Sequence, residues 1–335
     1  MRTILAPMEG VVDAGMRAVL TQLGGYHRCV TEFIRVTEQR IPKRVFVRFA
    51  PELEQGGSTA AGTPVYLQLL GGNAYYMGVN AARAAQLAPA GIDLNFGCPS
   101  KTVNRNDGGS ALLREPQRIA DIVKSVRDAV DPAIPVTAKI RLGFSNSDYL
   151  LEIAHHIESA GANELCIHAR TREDRYKPPA YWSLVKSVSD ELSIPVIING
   201  EIWTISDALK AREQSGCGDI MLGRGALSFP QLAACLAAHD EGRPSNEFSF
   251  NEILVLLREY LAVSEKKHPM FVGNRAKQWL VFLQMNYPDA KAVFHQLKRL
   301  KEAGAVFQVL DQAIEHGPVP SLAPSHAVKV TGATL

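Results

Sequence analysis

The five cysteines, Cys29, Cys98, Cys166, Cys217 and Cys235, form no CxxC pair and lack zinc-site spacing. That argues against a structural metal and against a disulfide framework, and the default for each is a reduced, buried thiol. No run of 18 apolar residues occurs, so no membrane-spanning helix is expected. The opening MRTILAPMEG carries one Arg and an apolar stretch too short for a signal core, which makes a cytoplasmic location the expectation. A dominant charge sign is missing too, with 36 basic against 34 acidic residues and a net charge of +2.

What is present suits a globular chain. The 335 residues are 46% apolar and 21% charged, which excludes wholesale disorder, and the length fits one α/β barrel with an appendage. The near-zero charge is an average over unlike regions. Residues 1–250 hold 26 Lys+Arg against 27 Asp+Glu, a net of −1, whereas residues 251–305 hold 9 against 5, a net of +4. A basic segment after a near-neutral body suits a polyanionic partner.

Eight short β-branched runs occupy the first 225 residues: Thr3–Met8, Cys29–Ile34, Pro64–Leu70, Ile92–Asn95, Pro135–Leu142, Glu164–Ala169, Pro195–Asn199 and Asp219–Leu222. Several are almost continuously apolar, as strands covered on both faces should be. Between them lie segments with apolar residues at three-to-four spacing, among them Asn73–Leu87, Arg118–Val130, Tyr149–Ser159 and Ile205–Gln214. The alternation predicts a (β/α)8 TIM barrel rather than a doubly wound sheet. Glycines and polar residues follow the strands in register, at Pro7-Met8-Glu9-Gly10, Gly71-Gly72, Gly97-Cys98-Pro99, Arg141-Leu142-Gly143, Asn199-Gly200-Glu201 and Gly223-Arg224-Gly225. Barrel enzymes build their sites from such strand ends. Beyond residue 245 the pattern turns helical, over Asn251–Ser264, Asn274–Asn286, Ala290–Ala303 and Val306–Glu315, and predicts a small bundle.

Four features carry chemistry. Asn199-Gly200-Glu201 and Gly223-Arg224-Gly225 end strands seven and eight, where barrels often bind a phosphate. Lys139 interrupts the apolar run VTAKIRL, so it faces the mouth either to pair with an anionic cofactor or to form a Schiff base. His168 holds the corresponding place on strand six, though a lone strand histidine is more often structural. Cys98 sits between Gly97 and Pro99 on a loop at the mouth, with no local partner to depress its pKa, which suits a proton donor better than a thiolate nucleophile. In the helical region Lys291, His295, Lys298 and Arg299 fall on one face of the third predicted helix, a row whose default reading is a solvated surface.

These residues resemble the tRNA-dihydrouridine synthases. The likeness runs through Leu5-Ala6-Pro7-Met8, Thr31-Glu32, Gln68-Leu69-Leu70-Gly71, GIDLNFGCPSKTV (91–103), KIRLG (139–143), HARTREDRY (168–176), NGEI (199–202) and GRGA (223–226). Thr31 to Arg35, the Cys-Pro-Ser-Lys-Thr-Val loop and Lys277-Gln278-Trp279-Leu280 look most like the bacterial C-type subfamily, which implies uridine 16 of the tRNA D-loop as target. The loop departs from the family at Arg105-Asn106-Asp107, where relatives carry more glycine.

The resemblance implies an FMN site formed by Pro7, Met8, Glu9 and Gln68 at the ring, Lys139 and His168 beside it, and Asn199, Gly200, Glu201, Gly223 and Arg224 at the phosphate side. It implies NADPH as reductant, hydride delivery to uracil C6 and a proton from Cys98 to C5. Arg35, Asn95, Arg141, Tyr176, Arg275, Lys277, Lys298 and Arg299 become candidate tRNA contacts, with no metal and a monomer expected. The implied organisation is an FMN-binding barrel over 1–242, a helical tRNA-binding domain over 243–316 and a disordered tail over 317–335. The alternative is an FMN-dependent dehydrogenase of free dihydropyrimidines or dihydroorotate, which would not need the basic module. A Schiff-base aldolase on Lys139 and a non-catalytic RNA-binding protein are further alternatives.

Overall fold

Strands covered on both faces close into a barrel in the computed structural model, which describes residues 1–245 and 247–317. They are β1 (Thr3–Leu5), β2 (Arg28–Val30), β3 (Ile34–Arg35), β4 (Val65–Leu70), β5 (Gly91–Asn95), β6 (Val136–Arg141), β7 (Glu164–His168), β8 (Val196–Asn199) and β9 (Asp219–Leu222). All pairings among them are parallel. β1 lies between β2 and β9, β2 pairs with β4, and β4 through β9 follow in order, so eight strands form the closed ring. This is the (β/α)8 barrel that the alternation predicts, with helices such as Ala74–Ala85, Pro116–Ala129, Leu150–Ser159 and Ile205–Ser215 between strands.

Two strand ends differ from expectation for local reasons. The first strand stops at Leu5 instead of Met8. Ala6 N–H still donates to Leu222 O at 2.9 Å, but Pro7 has no N–H to continue the ladder. The chain after it is thereby released to the mouth. The second run divides into β2 and β3, because the Thr31 hydroxyl accepts from Gln68 N–H at 3.0 Å in place of a main-chain carbonyl. Past that point β3 adds two residues against Leu69 and Leu70.

Alternate residues fill the ring in layers. At the N-terminal ends of the strands, Glu164 pairs with Arg2 at 2.6 Å and with Arg28 at 2.5 Å, and Arg28 lies 4.5 Å over the Tyr66 ring. Ile4, Ala6, Val30, Tyr66, Cys166, Ile197 and Met221 make an apolar layer. Lys139, His168 and Asn199 follow at the C-terminal ends.

The chain divides into two compact units, Met1–Glu247 and a second that begins at Phe248. In the second, helices run over Phe250–Lys267, Val272–Leu283, Ala290–Leu297 and Ala303–His316, and the first starts with a reciprocal Ser249–Glu252 cap. Buried Trp279 meets Tyr260 edge-on at 5.8 Å in its core. The helix expected over 290–303 ends at Leu297. Leu300 N–H turns back to Leu297 O at 2.9 Å, and the turn passes Gly273, where an added Cβ would lie 3.2 Å from Leu300 O. Lys298 and Arg299 therefore sit in that turn and do not extend a helical row from Lys291 and His295. Of the tail expected over 317–335, all but Gly317 lies outside the described residues.

Candidate active site at the barrel mouth

Cys98 is the half-buried thiol of the chain, the other four cysteines being buried. Its loop is held from both sides. Asn95 Oδ1, at the end of β5, accepts from the main-chain N–H groups of Gly97 and Cys98, each at 3.0 Å. Cys98 O accepts from Asn104 Nδ2 and Ser110 Oγ at 2.8 Å and from Ser110 N at 3.1 Å. Burial pushes the thiol above its ordinary pKa, against an N–H donated by Ser100, with Glu9 raising it and Arg141 lowering it. At neutral pH it is an S–H, the form a proton donor requires.

The departure at Arg105-Asn106-Asp107 is absorbed locally. A short helix, Lys101–Arg105, leads into Asp107 at φ +60°, a conformation that usually selects glycine, and Arg118 holds its carboxylate at 2.6 Å.

Opposite charges are unequal across the mouth. Lys139 Nζ donates to Asn199 Oδ1 at 3.0 Å, and burial pulls its ammonium below the ordinary lysine range. His168 is 8% exposed, and burial together with Arg141, Lys139, Arg170 and Arg224 drives its pKa well down. It is neutral. Arg170 Nη1 lies 3.3 Å from His168 Nε2, and since a guanidinium can only donate, Nε2 accepts and Nδ1 carries the hydrogen. Gly200, at φ +112°, runs so near that a Cβ there would lie 2.7 Å from His168 Cδ2.

Glu201 is the carboxylate that faces these cations. It binds Arg170, approaches Arg224 at 3.4 Å and accepts from Trp203 Nε1 at 2.9 Å. Burial would raise its pKa, but Arg170, Trp203 and Arg224 bring it below the usual range. Arg224 lies against the rings of Tyr176 at 5.4 Å and Trp203 at 4.9 Å. Gly223 is open, with Met8 Sδ 3.8 Å from the place of a Cβ. A mouth with Lys139, Arg170 and Arg224 around a neutral imidazole and one carboxylate fits a phosphate-bearing ligand.

Other expected residues occupy varied positions. Pro7 and Met8 are half-buried and Glu9 is exposed. Gln68 is fully buried, its amide shared between Asp93 Oδ2 at 2.7 Å and Asn95 Nδ2 at 2.8 Å. Arg141 is buried and donates to the carbonyls of Gly97, Thr171 and Arg175 at 2.8–3.0 Å. Arg35 and Tyr176 are exposed. In the helical unit, Arg275 donates to Tyr260 Oη at 2.6 Å, Lys277 to Leu300 O at 3.3 Å, and Lys298 Nζ reaches His295 Nδ1 at 3.1 Å, while Arg299 is exposed. Arg170 and Asp93 escaped the sequence reading. Asp93 shows the signal that marked Lys139, a charge in step with the interior residues of its strand, and Arg170 continues the same alternation two residues past the end of β7.

The family model for dihydrouridine synthases matches residues 4–316. The chain belongs to the dihydrouridine synthase family. It is similar to a tRNA-dihydrouridine(16) synthase of Pseudomonas putida, 47% identical over 92% of this chain and 96% of the relative. The tRNA-dihydrouridine(16) synthase of Shewanella oneidensis is 45% identical over 94% and 99%. An old yellow enzyme homologue from Zymomonas mobilis shares the fold alone, at a TM-score of 0.50 and 12% identity over 73% of this chain and 90% of that one. As a dihydrouridine synthase the chain is an oxidoreductase. Among the described residues, no helix is long and apolar enough to cross a membrane, and no group of three His, Cys, Asp or Glu could hold a metal.

Proposed function

We propose that this chain reduces uridine 16 in the D-loop of tRNA to 5,6-dihydrouridine, with FMN bound at the mouth and NADPH as reductant. The observation that carries the reading is a protonated thiol on a doubly anchored loop at a cation-lined mouth. The relatives' identity as tRNA-dihydrouridine(16) synthases supports the position. FMN, when bound, supplies the hydride that goes to uracil C6. Cys98 gives its proton to C5 and is reprotonated from solvent, so NADPH, one proton and uridine become NADP+ and dihydrouridine.

The chain's own residues bind and orient. Pro7, Met8, Glu9 and Gln68 border the ring, with Lys139 and His168 beside it. Asn199, Gly200, Glu201, Gly223 and Arg224 hold the phosphate side. Buried Arg170 joins that set, because it fixes both Glu201 and His168.

Uracil must leave its stack to reach Cys98, and Asn95 and Arg141 are the proposed contacts to the extruded base. Arg35, Tyr176, Arg275, Lys277, Lys298 and Arg299 are the proposed contacts to folded tRNA, with residues 243–316 as the tRNA-binding domain. The enzyme acts as a monomer in the cytoplasm.

The test is incubation of purified protein with NADPH and unmodified tRNA, followed by mass-spectrometric mapping. Dihydrouridine is expected at position 16. Product at 17 or 20 would overturn the position, and turnover of free dihydropyrimidine without tRNA would overturn the substrate class.

A further inference from the structure

Asp93 is the buried carboxylate of β5, 2% exposed, and it lies five residues before Cys98. Among the described residues it makes no salt bridge, and Arg28 binds Glu164 instead. Its two oxygens accept from Thr137 Oγ1 at 2.5 Å and Gln68 Nε2 at 2.7 Å. Gln68 Oε1 accepts in turn from Asn95 Nδ2 at 2.8 Å, and Asn95 Oδ1 accepts from Gly97 N–H and Cys98 N–H at 3.0 Å.

This chain of bonds has one workable direction. A side-chain amide has a donor end and an acceptor end, and main-chain N–H groups can only donate. The N–H groups of Gly97 and Cys98 therefore require Asn95 Oδ1 toward the loop, which turns its NH2 to Gln68 Oε1. Gln68 is then left with its NH2 pointing into the barrel, where an acceptor must meet it. Asp93 is that acceptor. An apolar residue at 93 would leave the Gln68 NH2 buried without a partner, and Gln68 could recover one only by turning and breaking its bond to Asn95.

We infer that Asp93 is a positioning residue for the proton donor, setting the Cys98 loop through Gln68 and Asn95. The inference rests on the proposed role of Cys98 but concerns the loop itself. What matters at position 93 is a hydrogen-bond acceptor, not a charge. Asp93→Asn preserves the direction, because its Oδ1 can accept from Gln68 while its NH2 donates to Thr137 Oγ1. Asp93→Leu removes the acceptor. Thr137→Val deletes the second bond to Asp93 and leaves the route to Cys98 intact.

Iodoacetamide alkylation of Cys98 in the absence of tRNA, followed by mass spectrometry, reads the loop directly, since the other four cysteines are buried. Asp93→Leu is expected to speed alkylation about fivefold, the effect of losing roughly one net hydrogen bond from the anchored loop. Its kcat on tRNA should fall about tenfold or more, with KM for tRNA little changed, as a misplaced donor implies. Asp93→Asn and Thr137→Val should both match the wild type in alkylation and in kcat.

Wild-type alkylation in Asp93→Leu overturns the inference. So does a Thr137→Val as disruptive as Asp93→Leu, which would mean packing alone, or an Asp93→Asn as disruptive, which would mean charge. If Asp93→Leu does not fold, Gln68→Met cuts the same route one link later and is held to the same alkylation result. A protein in which these alkylation results hold but tRNA is not reduced would refute the proposed reaction and keep the relay.

Discussion

The role proposed for Cys98 requires that it remain a thiol. Burial raises its pKa, so the acid form persists through neutrality and the rate of proton donation should decline only as pH climbs through a value above the ordinary thiol range. A decline centred below neutral pH would contradict that assignment. Cys98→Ala is expected to lower dihydrouridine formation by about a hundredfold or more, the scale of a lost general acid, with flavin content unchanged. Unaltered product formation by Cys98→Ala would remove the acid role. Cys98 and Lys139 are legible in the sequence because each is polar where its surroundings predict either a turn or a core. Asp93 is as conspicuous, alone between Ile92 and Leu94, but its meaning is not. Its partners Gln68 and Thr137 stand 25 and 44 residues away, and only closure of the barrel brings them together. Arg170 is the same case, its carboxylate partner lying 31 residues on at Glu201.

Elements were legible where one periodicity ran unbroken. The parallel strands read correctly because burial on both faces leaves runs such as Val196–Asn199 almost purely apolar. Their ends were set by single atoms that no periodicity records: the missing N–H of Pro7 and the Thr31 hydroxyl that divides β2 from β3. The third helix of the second unit stops short of the span its periodicity predicts for a similar reason, since its turn at Lys298–Leu300 is fitted to Gly273 on another helix. Tertiary contacts also decide how the first barrel helix, Ala14–Gln22, is fixed. Its Arg17 is fully buried and donates through Nε and Nη2 to Glu52 at 2.9 Å and through Nη2 to Phe49 O at 2.9 Å. Glu52→Gln leaves that guanidinium buried without its counter-charge, and a loss of about 3 kcal/mol in stability is expected, seen as a lower urea midpoint. An unchanged midpoint would show that water reaches the pair and that it contributes little to holding the helix.

For the whole molecule, the charge that looks negligible on average is unevenly distributed. The barrel segment to residue 250 is near neutral in sum, yet it concentrates Lys139, Arg141, Arg170 and Arg224 around one imidazole. Residues 251–305 carry a net +4 in a separate unit. If that excess grips RNA, it must do so through phosphates, and binding must weaken with salt in proportion to the number of phosphates neutralised. Lys298 and Arg299 are exposed in a turn, so charge reversal there should leave the helices intact. The double substitution Lys298→Glu and Arg299→Glu is expected to reduce the slope of log affinity against log salt by about 1.5, from two contacts at roughly 0.7–0.9 each. KM for tRNA should rise at fixed salt while kcat at saturating tRNA and flavin content stay constant, because neither residue belongs to the mouth. An unchanged salt slope with unchanged KM would assign the turn to a solvated surface. A fall in kcat with KM unchanged would mean that these residues act on chemistry, which a phosphate grip cannot do.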